Sequence, residues 1–216
     1  MRFAELTAHL ASLPATLPPP AEVLMPVFTG SVPMAPPRTP LDPSTVRPAA
    51  VLVLIYPDDV GDARVVLTER VTSDGHHSGE VSFPGGRAED GDVDLVATAL
   101  REATEEVGLD AAAAGVRVVG QLERFWIPVS NYEVTPVIAV AEQRPHLVAA
   151  VDEVARILEP GLATFLPGAP IETVEQTVRG WELRFGAYRV DGLIVWGATA
   201  RVLSQLGALL GNPWHH

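Results

Sequence analysis

Apolar residues recur along this chain in two rhythms. Ala49-Ala50-Val51-Leu52-Val53-Leu54-Ile55-Tyr56 is a short unbroken apolar run closed by Pro57-Asp58-Asp59, which predicts a buried strand. Residues 63–70 follow across an Asp/Gly turn as its hairpin partner, and 116–124 and 134–141 are two further strands. Residues 181–185 and 188–190 flank Gly186 and predict another hairpin. The second rhythm is helical. Val93, Val96, Leu100, Ala103 and Val107 follow 3-4-3-4 spacing and predict a helix over about 93–107, with Gly108 as a left-handed C-cap and Leu109 as the apolar contact beyond it. A second helix is predicted over 193–210, carrying Trp196 into the core beside Ile194, Leu203 and Leu206, and a weaker third over 151–158. Strands outnumber helices and alternate with them irregularly. The expected fold class is α/β of the α+β kind, with helices packed on a mixed sheet.

Prolines partition the chain. Eleven of the 20 lie in the first 50 residues, so 1–47 reads as a proline-rich N-terminal arm with a short helix at 3–12, and 48–216 as the catalytic or binding body. The 216 residues are 47% apolar and 19% charged, ordinary values for a chain able to bury one sizeable core. The net charge of −12 argues against a nucleic-acid binder, which needs many cations. A phosphorylated small molecule then requires a metal ion or a local basic cluster. The absence of cysteine excludes disulfides, thiolate nucleophiles and Fe–S clusters. The first residues lack a signal-peptide pattern, and no run approaches the roughly 20 apolar residues of a bilayer span. No membrane partner and a cytoplasmic location are expected.

The richest chemistry lies between Gly79 and Leu109. On the predicted helix Glu102, Glu105 and Glu106 stand at i, i+3 and i+4, so their carboxylates converge, away from the apolar stripe. Like charges at this spacing destabilise a helix by about 0.2–0.5 kcal/mol per pair, a cost that Arg101 relieves in part by reaching Glu105. The bland alternative is a solvated acidic face; the functional one is a site for a hard divalent cation. Upstream, Phe83-Pro84-Gly85-Gly86 lets backbone approach a ligand closely. Asp90-x-Asp92-x-Asp94 imitates the start of a calcium loop but has Leu95 at the sixth position and Arg101 at the twelfth, which excludes an EF-hand.

Gly86 through Leu109, ending Arg101-Glu102-Ala103-Thr104-Glu105-Glu106-Val107-Gly108-Leu109, resembles the box of the Nudix hydrolases, and its last nine residues match completely. Gly86 is one residue too far from Arg101, so the first acidic position of the box falls on Asp92 or Val93, and Asp92 or Asp94 stands in for it. Leu67-Thr68-x-Arg70, His77-x-Gly79-Glu80-Val81-x-Phe83-Pro84-Gly85-Gly86, Val134-Thr135-Pro136-Val137 and Trp196-Gly197-Ala198-Thr199-Ala200 are similar to the coenzyme A diphosphatase branch of that family. Two departures stand out: Asp74 and Gly75 replace an apolar residue and an Arg, and Val71 replaces a Ser.

The resemblance implies an α-β-α sandwich and Mg²⁺- or Mn²⁺-dependent hydrolysis of the diphosphate of coenzyme A, or of another nucleoside diphosphate derivative such as ADP-ribose. A silent nucleotide-binding module is the third reading, disfavoured by the three retained glutamates. It implies Glu102, Glu105, Glu106 and the Gly86 carbonyl as metal ligands, with Arg101 orienting Glu105. Glu153, at the expected start of the third helix, is a candidate base, against the alternative of a helix N-terminal residue favoured by the dipole. Arg70, His77, Gly85, Gly86 and Tyr132 are candidate substrate contacts; for Tyr132 and Asn131 the alternative is a turn. A homodimer is a further implication.

Overall fold

The computed structural model describes residues 1–29, 39–71, 80–178 and 180–211. In chain order its elements are α1 (Phe3–Leu10), β1 (Val27–Phe28), β2 (Arg47–Pro57), β3 (Ala63–Val65), β4 (Leu67–Arg70), β5 (Val81–Ser82), β6 (Gly85–Arg87), α2 (Leu95–Val107), β7 (Arg117–Gln121), β8 (Phe125–Ile127), β9 (Tyr132–Val140), β10 (Val154–Leu158), β11 (Glu172–Val178), β12 (Trp181–Val190), β13 (Leu193–Val195) and α3 (Gly197–Gly211).

The predicted apolar run is the centre of the molecule. β2 pairs parallel with β9 from Arg47↔Tyr132 to Ile55↔Val140, and antiparallel with β3 and β6. Side chains alternate across a strand, so β2 serves two cores. Ala50, Leu52 and Leu54 meet Ala99, Ala103 and Val107 of α2 on one face. Val53 and Ile55 meet α1 and α3 on the other, through Leu6, Leu10, Val202 and Leu206. This is the expected α-β-α sandwich around a mixed sheet.

Four elements differ from their prediction. Residues 63–70 are not one strand: β3 pairs β2, then the chain passes to a second sheet, where β4 lies between β10 and β5. The third helix is absent, since 154–158 is β10. Val154, Ile157 and Leu158 mimic helical spacing because a bulge between Val154 and Arg156 interrupts strand alternation. Gly186 is not a turn. β12 runs straight through it, and a Cβ there would meet the Val23 carbonyl oxygen at 2.6 Å, so glycine serves a close approach of the N-terminal segment. The actual turn into β13 is Asp191-Gly192, both with positive φ (48° and 84°), the signature of a tight hairpin. Pairing of Tyr188 with Val195 also delays the last helix to Gly197, leaving Trp196 ahead of it, stacked on Phe185 at 4.5 Å in a small satellite cluster.

The N-terminal residues lie on the body. Phe3, Leu6, Leu10 and Leu24 are buried in the larger core. The Ala21 N–H donates to Ser204 Oγ at 2.6 Å, and Gln205 Nε2 donates to the Pro18 carbonyl at 3.1 Å. Among the described residues no helix is long and apolar enough to cross a membrane.

Candidate active site

α2 presents the glutamates, and its ends are well defined. Asp94 caps the start by accepting from the Ala97 N–H at 2.8 Å. Gly108, at φ 63°, closes the end. The helix therefore starts two residues later than predicted, and Val93 is 91% exposed rather than part of the stripe. Ala99 and Ala103 carry no bulk, which brings α2 close to β2 and β6. That closeness changes Glu106. It does not point away from the apolar stripe as expected; it is 2% exposed, held against β6 beside Val107.

The glycine pair makes this possible. β6 runs antiparallel to β2 with Val51↔Gly85 and Ala50↔Gly86 in register. A Cβ on Gly86 would overlap the Glu102 carboxylate (Oε2 at 2.7 Å), and one on Gly85 would overlap the β2 backbone at Val51 Cα, 2.6 Å away. The Gly85 N–H donates to Glu106 Oε2 at 3.2 Å. Two carboxylates thus press on a backbone stripped of side chains.

Arg101 organises the outer side. Its Nε and Nη2 donate to Asp92 Oδ1 and Oδ2 at 3.0 and 3.1 Å, and Nη1 donates to Glu102 Oε1 at 3.1 Å and Glu105 Oε2 at 3.0 Å. Nη2 also reaches the Arg87 carbonyl at 2.9 Å. Arg101 thus orients Glu102 as well as Glu105. The bond to Arg101 holds the Asp92 carboxyl well below the usual range. Thr98 Oγ1 adds a 2.8 Å bond to Asp92 Oδ2. Of the two acidic residues offered for the first box position, Asp92 buttresses the arginine and Asp94 is the cap. Sequence reasoning missed Thr98 altogether. The capping rule applied to a helix starting at 93 points to Asp92; the observed start at Leu95 makes Asp94 the cap and leaves Asp92 to Arg101.

Charge is concentrated around Glu106. Burial pushes its carboxyl up to about 7; Arg70 and the Gly85 N–H pull the other way, while Glu102 and Glu153 add to the rise. Glu102 is also raised, chiefly by burial, with Arg101 opposing and Glu105 and Glu153 reinforcing. Arg70 ends β4 with Nη1 3.4 Å from Glu106 Oε1. Glu153 belongs to a turn ahead of β10, not to a helix: its N–H donates to the Ala150 carbonyl and its own carbonyl accepts from the Val71 N–H, both at 2.9 Å. Its carboxylate adds to the upward shifts of Glu102 and Glu106. Glu105 is mostly exposed at the open side.

Tyr132 stands apart. It opens β9 on the sheet face opposite α2 by strand alternation, and the Arg47 guanidinium covers its ring at 4.3 Å. Asn131 is the turn residue, at φ 54°, accepting from Trp126 Nε1 at 2.9 Å. His77, Asp74 and Gly75 lie outside the described residues.

Among the described residues no group of three or more His, Asp or Glu side chains is arranged to hold a metal ion. The donor set still fits a cation that takes few protein ligands. Mg²⁺ binds through one or two carboxylates, keeps several waters and adds substrate phosphates. A mutually repelling pair of carboxylates against a glycine cradle, Glu106 buried and Glu102 half-buried, is such a half-site.

The family model for the NUDIX domain matches residues 46–166, from the edge of β2 to beyond β10. The mitochondrial Nudix hydrolase 15 of Arabidopsis thaliana is 36% identical over 176 residues, covering 78% of this chain and 61% of the relative. The Nudix hydrolase NudL of Citrobacter koseri is 34% identical over 167 residues, covering 76% of this chain and 83% of the relative. The chain spans 61% and 57% of the lengths of two Arabidopsis relatives it matches. Among solved structures, RenU, a Nudix hydrolase of M. smegmatis, shares 26% identity at a TM-score of 0.46, over 55% of this chain and 72% of that one. A matched span that takes in β2, the glycine pair and every glutamate of α2, with NudL aligned over most of its length, makes this chain a member of the Nudix family.

Proposed function

We propose that this protein hydrolyses the diphosphate linkage of coenzyme A or its acyl derivatives, releasing 3′,5′-ADP and 4′-phosphopantetheine or its acyl form, and that it depends on Mg²⁺ or Mn²⁺. The observation that carries the reaction type is Glu106 buried against Gly85, with Glu102 over Gly86 and Glu105 at the open side. The coenzyme A preference is supported by the Leu67–Arg70 and Gly79–Gly86 segments and by Trp196–Ala200.

Glu102, Glu105 and Glu106, with the Gly86 carbonyl, would hold the metal. When bound, it supplies positive charge to the two phosphates and acidity to an attacking water. The chain's own residues do the rest. Arg101, anchored on Asp92, fixes Glu102 and Glu105. Arg70 offers a guanidinium to a phosphate oxygen. Water attacks one phosphorus, the bond from that phosphorus to the bridging oxygen breaks, and the bridging oxygen leaves with the other phosphate. A Glu153 carboxylate oxygen is the proposed acceptor of the water's proton. The departures at Asp74 and Gly75 keep a second reading, hydrolysis of another nucleoside diphosphate derivative such as ADP-ribose.

The test is a product assay with Mg²⁺ or Mn²⁺, with and without EDTA, offering coenzyme A beside ADP-ribose. The expected result is metal-dependent release of 3′,5′-ADP with ADP-ribose poor. Metal-dependent cleavage of ADP-ribose alone would move the substrate to the second reading, and cleavage that survives EDTA would overturn the metal assignment.

A further inference from the structure

We propose that Arg70 is an internal counter-ion that occupies Glu106 in the metal-free protein and is exchanged for the divalent ion as the site loads, which frees its guanidinium for a substrate phosphate. The inference rests on the reading of Glu106 as a metal ligand.

Three observations carry it. First, the pair is asymmetric: the Glu106 side chain is 3% exposed and that of Arg70 36%, with 3.4 Å between Nη1 and Oε1. The carboxylate is fixed in the interior and the guanidinium has solvent on its other side. Second, among the described residues Arg101 and Arg156, the neighbouring arginines, are committed elsewhere. Arg101 is shared among Asp92, Glu102, Glu105 and the Arg87 carbonyl, and Arg156 binds Glu69 at 3.0 Å. Third, the backbone of Arg70 is tied down, by its pairing with Val154 and by its N–H to the Glu80 carbonyl at 3.0 Å, while among the described residues its guanidinium is held by Glu106. The long side chain can swing without disturbing β4.

A divalent ion repels a guanidinium on the same carboxylate. Arg101 withstands this at Glu102 and Glu105 through its further bonds to Asp92 and the Arg87 carbonyl, an anchorage that the Arg70 side chain lacks among the described residues. Loading therefore expels Arg70 toward the nearest other anion, and its planar fork matches a phosphate. Metal and diphosphate then help each other bind, because each removes the cost of Arg70 losing a partner.

The experiment measures Mn²⁺ binding alone, without substrate, by electron paramagnetic resonance of free Mn²⁺. It compares the 216-residue chain with its Arg70→Gln, Arg70→Lys and Arg156→Gln variants. Arg70→Gln is expected to bind Mn²⁺ about tenfold more tightly than the wild type, the equivalent of about 1.4 kcal/mol. Arg70→Lys should restore most of the competition. Arg156→Gln, which removes a nearby charge that does not touch Glu106, should change affinity by less than about twofold. Equal or weaker Mn²⁺ binding by Arg70→Gln would overturn the counter-ion role, as would an equal gain in Arg156→Gln. Failure of the wild type to bind Mn²⁺ at all would instead overturn the metal reading beneath it.

Discussion

Glu106 is the residue on which the site turns. Its side chain replaces water with helix, strand backbone and one partly exposed arginine, and burial raises its carboxyl to about 7. The protonated form is thus favoured by folding. Stability from this source is full below the ordinary value of 4.5 and is lost as pH rises through about 7. The metal-free protein should lose roughly 3 kcal/mol between those limits, and Glu106→Gln should lose correspondingly less. Urea unfolding of both proteins in EDTA at pH 5 and pH 8 checks this; parallel losses in the two would contradict it. With metal and substrate present, Glu106→Gln should lower turnover by at least about 10², or roughly 2.7 kcal/mol of transition-state stabilisation. Glutamine keeps the shape and can still accept from the Gly85 N–H, so its circular dichroism should match the wild type. Gly86→Ala tests the cradle. Its Cβ must displace the Glu102 carboxylate, a movable group, so Mn²⁺ affinity should fall by about tenfold or more with a melting shift of only a few degrees.

At the scale of the element, α2 separates two aspartates that look alike in the sequence. Asp94 serves the helix: Asp94→Ala should cost about 1 kcal/mol of stability and leave turnover nearly unchanged. Asp92 serves the arginine. Asp92→Asn should leave stability closer to wild type and lower turnover severalfold, because Arg101 then holds Glu102 and Glu105 less firmly. Steady-state kinetics beside chemical denaturation tells the two apart, and a reversed pattern would show that their roles are exchanged. The α2 stripe from Val96 to Val107 was legible because its apolar spacing and its C-cap glycine agree. β10 was misread because a bulge imitates helical spacing, and local pattern cannot register a bulge whose cause is the partner strand.

At the scale of the molecule, the N-terminal residues share the main core. Leu6 is fully buried with Val53 and Ile55 of the central strand. Leu6→Ala should therefore cost about 2–5 kcal/mol, as for any buried leucine. An unchanged melting temperature would mean that α1 detaches readily from the body. The same scale explains Arg70, Glu106 and Glu153. They come from β4, α2 and the turn before β10, and only the pairing of β10 with β4 brings the last of them to the first.

By itself the sequence determined the central strand, the helix that carries Glu102, Glu105 and Glu106, the glycine pair opposite them and the reach of Arg101 to Glu105. Each of these depends on neighbours within about 20 residues, whose spacing and chemistry are written in order. Tertiary structure decided the burial of Glu106, its pairing with Arg70, the choice between Asp92 and Asp94 as the arginine's anchor, the strand conformation of 154–158 and the straight course of β12 through Gly186. These depend on how closely two elements approach and on which strand lies beside which. Approach distance is set by side chains far apart in the chain, such as Ala103 against Leu52 or Gly186 against Val23, and no local period encodes it.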